Sequence, residues 1–179
     1  ANHKHQIGAN SGLGKVVARE LGARGAKVHM VCRNQAKAEE AAAELVAATK
    51  RPAGNYIIHQ LDLSRPADVK AFAKKFASGN SQLDGLVNNA GMMSNERILS
   101  PDGLESSFAC NVLGTYVLTE CLVPVLEKTK GSRVITVTSA GMLTERLDAQ
   151  DPQSERQPAW DGTIAYARHK RAQVELTHH

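Results

Sequence analysis

The 179-residue chain is 42% hydrophobic and 22% charged, with 4% aromatic residues and a net charge of +4. These values suit one soluble globular domain whose core rests on Val, Leu, Ile and Ala. The Lys and Arg residues are scattered and form no DNA- or RNA-binding motif, so the mild positive charge points to an anionic small molecule rather than a nucleic acid.

Taken in order, the chain opens on Ala1-Asn2-His3-Lys4-His5-Gln6-Ile7, which is too polar to pair well as a central strand covered on both faces. The loop Gly8-Ala9-Asn10-Ser11-Gly12-Leu13-Gly14 follows and leads into a helix. In that helix Leu13, Val16, Val17 and Leu21 recur at helical spacing, and Gly25 is a stop. Residues 26–31 read as a strand ending at Cys32-Arg33-Asn34. Residues 35–50, rich in Ala, Glu, Lys and Leu, read as a helix that Pro52 bars from continuing. A second strand is expected over 55–61. A helix then starts at Pro66, with Ser64 as its cap and Val69, Phe72 and Phe76 on one apolar face. Residues 83–87 and 133–138 give two more strands, separated by a long helix over 101–128 with a bend at Pro124. The polar segment 140–162 reads as a long inserted loop, either a functional flap or mobile.

Strands alternating with helices imply crossover connections. The expected fold is therefore α/β, a Rossmann-type doubly wound parallel sheet in a single domain over 1–179. Ligands in such sheets bind beyond the carboxyl ends of the strands.

Cys32, Cys110 and Cys121 have no metal-ligand spacing and lie in apolar segments, so they read as small buried hydrophobes. No histidine spacing suggests a metal, and His178-His179 reads as the start of a tag. The polar start lacks the apolar core of a secretory leader, and the most apolar stretch, 115–126, is too short to span a membrane. The expectation is a cytoplasmic protein with no integral span.

Chemistry-bearing residues collect where the strands end. The glycine loop lets backbone N–H groups face a phosphate at the positive end of the following helix, though its Gly-x3-Gly-x-Gly spacing alone also suits a plain turn. After the strand over 26–31, Arg33 stands where an acid would hold a ribose, with Asn34 beside it and Lys15 adding charge at the loop. Given a dinucleotide fold, that favours NADP(H) over NAD(H). Asp62-Leu63, Asn88-Asn89-Ala90-Gly91 and Thr138-Ser139 close three further strands. Tyr166 and Lys170 fall at i and i+4, which brings the ammonium toward the phenol and favours the phenolate.

In this order and spacing, the glycine loop, Asp62, Asn88-Asn89-Ala90-Gly91, Asn111, Ser139 and Tyr166-Ala167-Arg168-His169-Lys170 resemble the short-chain dehydrogenase/reductase family. Within it, the stretches around Ser139, Trp160 and Tyr166 look most like the member-12 type. The long interval from Ser139 to Tyr166 is similar to an insertion in the retinol-dehydrogenase-like branch. The resemblance implies that Gly8, Asn10, Ser11, Gly12, Leu13 and Gly14 line a diphosphate, and that Arg33 and Asn34 meet the 2′-phosphate. It further implies that Asp62 and Leu63 flank the adenine, and that Asn89, Ala90 and Gly91 support the cofactor. Tyr166 would be the general acid, Lys170 would tune it and hold the nicotinamide ribose, Ser139 would bond the carbonyl oxygen, and Asn111 would anchor a relay water.

The implied activity is hydride transfer between NADP(H) and a small carbonyl or alcohol substrate, lipophilic by analogy with the branch. A non-catalytic nucleotide-binding or structural subunit is the other reading. The resemblance also leaves open a homo-oligomer or a larger assembly. It implies that the fold is truncated at both ends, because the family pattern has an apolar strand before the glycines and further elements after Lys170.

Overall fold

The computed structural model describes residues 3–100 and 102–178, and for residues 3–7 the backbone alone. Ala1, Asn2, Pro101 and His179, which enter the expectations above, lie outside the described residues.

Five strands, β1 (His3–Ile7), β2 (Lys27–Cys32), β3 (Tyr56–Gln60), β4 (Gly85–Asn88) and β5 (Arg133–Thr136), form one sheet in the order β3-β2-β1-β4-β5. Every neighbouring pair is parallel. The strand order reverses between β1 and β4, so a crevice opens where the loops after those two strands diverge.

The first strand departs from the sequence expectation. His3–Ile7 takes the centre of the sheet, pairing His3 with Lys27 through Ile7 with Val31 on one side and Lys4 with Gly85 on the other. A ladder is made from backbone N–H and C=O groups, and β2 and β4 supply both edges. Polarity of the side chains does not prevent that pairing.

Helices cover both faces. On one, α1 (Gly12–Ala23) and α2 (Gln35–Thr49) pack over β2 and β3, burying Ala18, Ala38, Ala41 and Leu45 with Val28, Met30 and Tyr56. The many alanines let these helices lie close to the sheet. Asn34 caps α2 by accepting from the Lys37 N–H at 2.9 Å, and Lys50 ends it in the left-handed conformation.

The other face carries α3 (Pro66–Gly79) and a continuous helix over Ser106–Glu127. That helix comprises α4 (Ser106–Phe108), a π turn (Ala109–Gly114) and α5 (Thr115–Glu127). Val69, Ala73 and Phe76 of α3 meet Leu118, Leu122, Val125 and Leu126 of α5 in a second apolar cluster with Leu83 and Leu86. Full burial of Leu118 and Leu122 contributes about 1.5–3 kcal/mol each. The 22-residue helix is long and apolar enough to cross a membrane, yet these leucines are packed in the core as in an ordinary core helix.

Two local expectations are corrected here. Ser64 does not cap α3: its N–H and Oγ both donate to Asp62 Oδ1, at 2.9 and 2.7 Å, while Pro66 opens the helix unaided. The long helix begins at Ser106 and leaves out 102–105, because the Glu105 carboxylate caps it, accepting from Ser107 N–H at 2.8 Å and Phe108 N–H at 2.6 Å. Pro124 sits inside α5, and the departure from regular geometry is the π turn one helix segment earlier. Gly114 closes that turn where a Cβ would lie 2.0 Å from the Leu63 carbonyl oxygen, so only glycine permits the contact.

Segment 140–162 opens with a 3-10 turn (Ala140–Thr144), and residues 145–161 form no helix or strand. It is tied to the body by Trp160 Nε1 donating to Ser94 O at 3.0 Å and by Glu105 N donating to Gln153 Oε1 at 2.8 Å. Asp161 then caps α6 (Gly162–Thr177). Cys32 is buried, and Cys110 and Cys121 are partly so.

Candidate cofactor and catalytic site

One cavity of about 660 Å³ lies along the carboxyl ends of β1, β2, β4 and β5. Its lining includes Gly8, Asn10, Ser11, Gly12 and Leu13 from the first loop, Arg33 and Asn34 after β2, Asn89, Ala90 and Gly91 after β4, Ser139 beyond β5, and Tyr166 with Lys170 on α6. Residues dispersed over more than 160 positions of sequence thus face one space. Four of the expected residues lie elsewhere. Asp62 and Leu63 line a smaller adjoining cavity of about 160 Å³, shared with Gly8, Arg33 and Ala90. Gly14 is buried beneath the loop, and Asn111 is fully buried behind the cavity.

The glycine loop is held by its own contacts. Gly8 N donates to Val31 O at 3.1 Å, and the Asn89 side chain donates to Gly8 O at 3.4 Å, so the loops after β1 and β4 are joined. A Cβ at Gly14 would lie 2.1 Å from Gly8 O, which is backbone and cannot swing away. The first turn of α1 can approach the loop only because position 14 has no side chain.

Beside the loop, Arg33 is joined by Lys37, four residues on in the first turn of α2. Lys15, expected to add charge here, pairs instead with Glu44. Two cations therefore flank this end of the cavity, but the second one is Lys37.

At the other end, Lys170 is 2% exposed. Its Nζ donates to Val137 O at 2.8 Å and to Gln173 Oε1 at 2.9 Å, and lies 5.6 Å from the centroid of the Tyr166 ring. A buried ammonium needs such acceptors to replace water. Burial nevertheless pushes the Lys170 amine below its ordinary value. Burial pushes the half-buried Tyr166 phenol up, the reverse of what the i, i+4 spacing suggests. Nζ is engaged with two carbonyl oxygens, so loss of hydration decides the direction at Tyr166.

Ser139 Oγ accepts from Gly141 N–H at 3.2 Å, capping the short 3-10 turn. Thr138 Oγ1 donates to Lys170 O at 2.9 Å and docks α6 against the end of β5. Asn111 sits in the π turn, where its Oδ1 accepts from Met92 N–H at 2.8 Å and its Nδ2 donates to Met92 O at 2.7 Å. Its side chain thereby fixes the segment that follows Gly91. Cys110 lines the smaller cavity, and burial, reinforced by the Asp62 carboxylate, pushes its thiol up to about 11. Such a thiol stays protonated and unreactive at neutral pH.

The short chain dehydrogenase family model matches residues 6–147, from the glycine loop to beyond Ser139. The chain belongs to the short-chain dehydrogenase family. Similarity to individual relatives extends past the model match and takes in Tyr166 and Lys170. The chain is 51% identical over 172 residues to dehydrogenase/reductase SDR family member 12 of Bos taurus, covering 95% of this chain and 52% of that protein. It is 37% identical over 170 residues to retinol dehydrogenase 12 of Homo sapiens, with 95% and 52% covered. The chain thus spans about half the length of the curated relatives it matches. Among solved structures, a metagenomic short-chain oxidoreductase in complex with NADP is 28% identical, with a TM-score of 0.75 over 98% of this chain and 72% of that one. Membership in this oxidoreductase family, and the doubly wound fold, are therefore established for the chain.

Lys37, Val137 and Gln173 were not singled out from sequence. Lys37 lies in the first turn of the helix that follows Arg33, and Gln173 follows Lys170 by three, an interval that brings helical side chains together. Val137 acts through its backbone carbonyl, which carries no sequence signal.

Proposed function

We propose that the main cavity holds an NADP(H) molecule and that the protein interconverts a carbonyl and an alcohol, with Tyr166 as general acid and base. The observation that carries this reading is the convergence of the glycine loop, Arg33 with Lys37, and Tyr166 with Lys170 on one cavity. A volume of about 660 Å³ suits a dinucleotide. A Cβ at Gly12, the first residue of α1, would meet nothing within 4 Å, and a helix N-terminus with free space before it suits a diphosphate.

In this reading Gly8, Asn10, Ser11, Gly12 and Leu13 face the diphosphate, with Gly14 beneath them. Arg33, Asn34 and Lys37 meet the 2′-phosphate. Asp62 and Leu63 border the adenine from the adjoining cavity, and Asn89, Ala90 and Gly91 form the floor. When bound, the nicotinamide supplies a hydride. Tyr166 donates its phenolic proton to the carbonyl oxygen, and its raised pKa keeps that proton in place at neutral pH. Ser139 donates a hydrogen bond to the same oxygen as negative charge develops there. Lys170 contributes its positive charge beside the phenol. In the reverse direction Tyr166 as phenolate accepts the proton of an alcohol. The name of the human relative, retinol dehydrogenase 12, supports a lipophilic alcohol or aldehyde as substrate.

The test is a fluorescence titration of the full-length protein with NADPH and NADH, followed by initial rates on a panel of aliphatic, aromatic and long-chain aldehydes and ketones. The reading requires tighter binding of NADPH and turnover of at least one carbonyl class. Binding without turnover on the whole panel would instead support a non-catalytic nucleotide-binding subunit.

A further inference from the structure

Gln173 is 3% exposed and lies one turn beyond Lys170 on α6. A buried primary amide must satisfy two N–H donors and a carbonyl acceptor, and leaving any of them unpaired is costly. Here the carbonyl accepts from Lys170 Nζ at 2.9 Å, and the amide nitrogen donates to the Asn111 backbone carbonyl at 2.6 Å. The Asn111 carbonyl belongs to the π turn, a geometry often found at functional sites. One side chain therefore bridges the ammonium of α6 and the backbone of the facing helix. The second acceptor of the ammonium, Val137 O, comes from the end of β5. A Cβ at Gly91 would lie 3.4 Å from Lys170 Nζ, so the loop after β4 also abuts the cation.

We propose that Gln173 is a positioning residue of this site: its amide clamps the Lys170 ammonium between α6 and the Asn111 carbonyl, fixing the cation beside Tyr166. The inference rests on the reading of Tyr166 and Lys170 given above and adds a residue to it. A lysine side chain has four rotatable bonds, and two acceptors from separate elements hold its end to one place. Gln173 also keeps the cation charged, because a hydrogen bond accepted from the ammonium favours the protonated form. The titratable groups around Lys170 are Tyr166 and His169 on its own helix and Cys110 on the facing one.

Two substitutions in the full-length protein separate positioning from mere packing. Gln173→Leu keeps bulk but removes both hydrogen bonds. Gln173→Glu keeps an acceptor for Lys170 and removes the donor to Asn111. For carbonyl reduction with NADPH, Gln173→Leu is expected to lower kcat about tenfold or more with little change in KM. It should also move the alkaline limb of the pH profile to lower pH. Gln173→Glu should recover most of kcat and move that limb to higher pH. A second readout needs no turnover: trinitrobenzenesulfonate labelling of Lys170, followed by peptide mass spectrometry. Labelling should speed up at least about threefold in Gln173→Leu and slow in Gln173→Glu, following the change in the amine's charge. Labelling rates equal to the unsubstituted protein in both variants, or moved the same way in both along with the melting temperature, would overturn the proposal. Absence of turnover in the unsubstituted protein would count against the proposed function alone, since labelling still decides the role of Gln173.

Discussion

Replacing Gly14 by alanine tests whether the glycine loop is held by backbone contact. The new Cβ would lie 2.1 Å from the Gly8 carbonyl oxygen and 2.7 Å from the Asn89 amide nitrogen. Contacts under 3 Å are not tolerated, so α1 or the loop must shift by about an ångström. The shift strains the Gly8–Val31 and Asn89–Gly8 hydrogen bonds that join the loop to the sheet. Overpacking of this kind costs about 1–3 kcal/mol, against a helix-propensity gain of about 1 kcal/mol at most. Taking the middle of the first range, the expected net loss is about 1 kcal/mol, a fall in Tm of roughly 2–4 °C for a chain of this size. NADPH affinity should fall with it, because the loop moves. Gly54→Ala is the control: a Cβ there meets nothing within 4 Å, and the change should be neutral or slightly stabilising. Thermal melts and NADPH titrations of both variants decide the matter. A Gly14→Ala protein that melts at or above the unsubstituted temperature and binds NADPH fully would refute the reasoning.

Three further outcomes follow from the site and its surroundings. Arg33→Ala with Lys37→Ala should weaken NADPH binding about 10- to 100-fold while leaving NADH within about threefold, read by fluorescence titration; equal losses for both cofactors would remove the 2′-phosphate assignment. Because burial raises the Tyr166 phenol and lowers the Lys170 amine, reduction should hold through neutral pH and decline only in the alkaline range as Lys170 loses its charge, whereas alcohol oxidation should climb with pH while the phenol ionises; initial rates in both directions give the profile. His169 is 2% exposed, and burial, with the Lys170 charge next, lowers its pKa from 6.5 to about 4. The unfolded chain therefore binds a proton more readily than the folded one between those values, so stability is full above pH 6.5 and falls by about 3 kcal/mol as pH drops toward 4. Urea melts across that range should show the slope in the native sequence and a shallower one in His169→Gln.

Much of the sheet was legible because its strands are short β-branched runs bounded by turn residues, as at Val28 to Val31 and Val134 to Thr136. The glycine loop, Arg33, Asn89 to Gly91 and Ser139 share one cavity for a related reason: each follows a strand, and in a doubly wound sheet those ends share one edge, whereas Tyr166 and Lys170 reach it from α6. What escaped the sequence was decided by backbone and by competition between caps. His3–Ile7 has no apolar pattern, and its place at the sheet centre comes from ladder pairing with β2 and β4. Pro101 marks a plausible helix start, yet the Glu105 carboxylate satisfies the first N–H groups and sets the boundary. Ser64 could cap α3, but its hydroxyl is turned to Asp62 Oδ1 and Arg65 stands at the N-cap position. Lys15 and Lys37 are equally basic in sequence, and only the presence of Glu44 beside Lys15 assigns the cavity to Lys37.

The central claim is that Tyr166 transfers the proton in this cavity. Its most direct test is single-turnover carbonyl reduction by Tyr166→Phe in the full-length protein, with NADPH affinity measured in parallel. The account predicts NADPH binding within about threefold of the unsubstituted protein and a chemical step slowed by at least about 100-fold. An unchanged single-turnover rate with NADPH bound would contradict it.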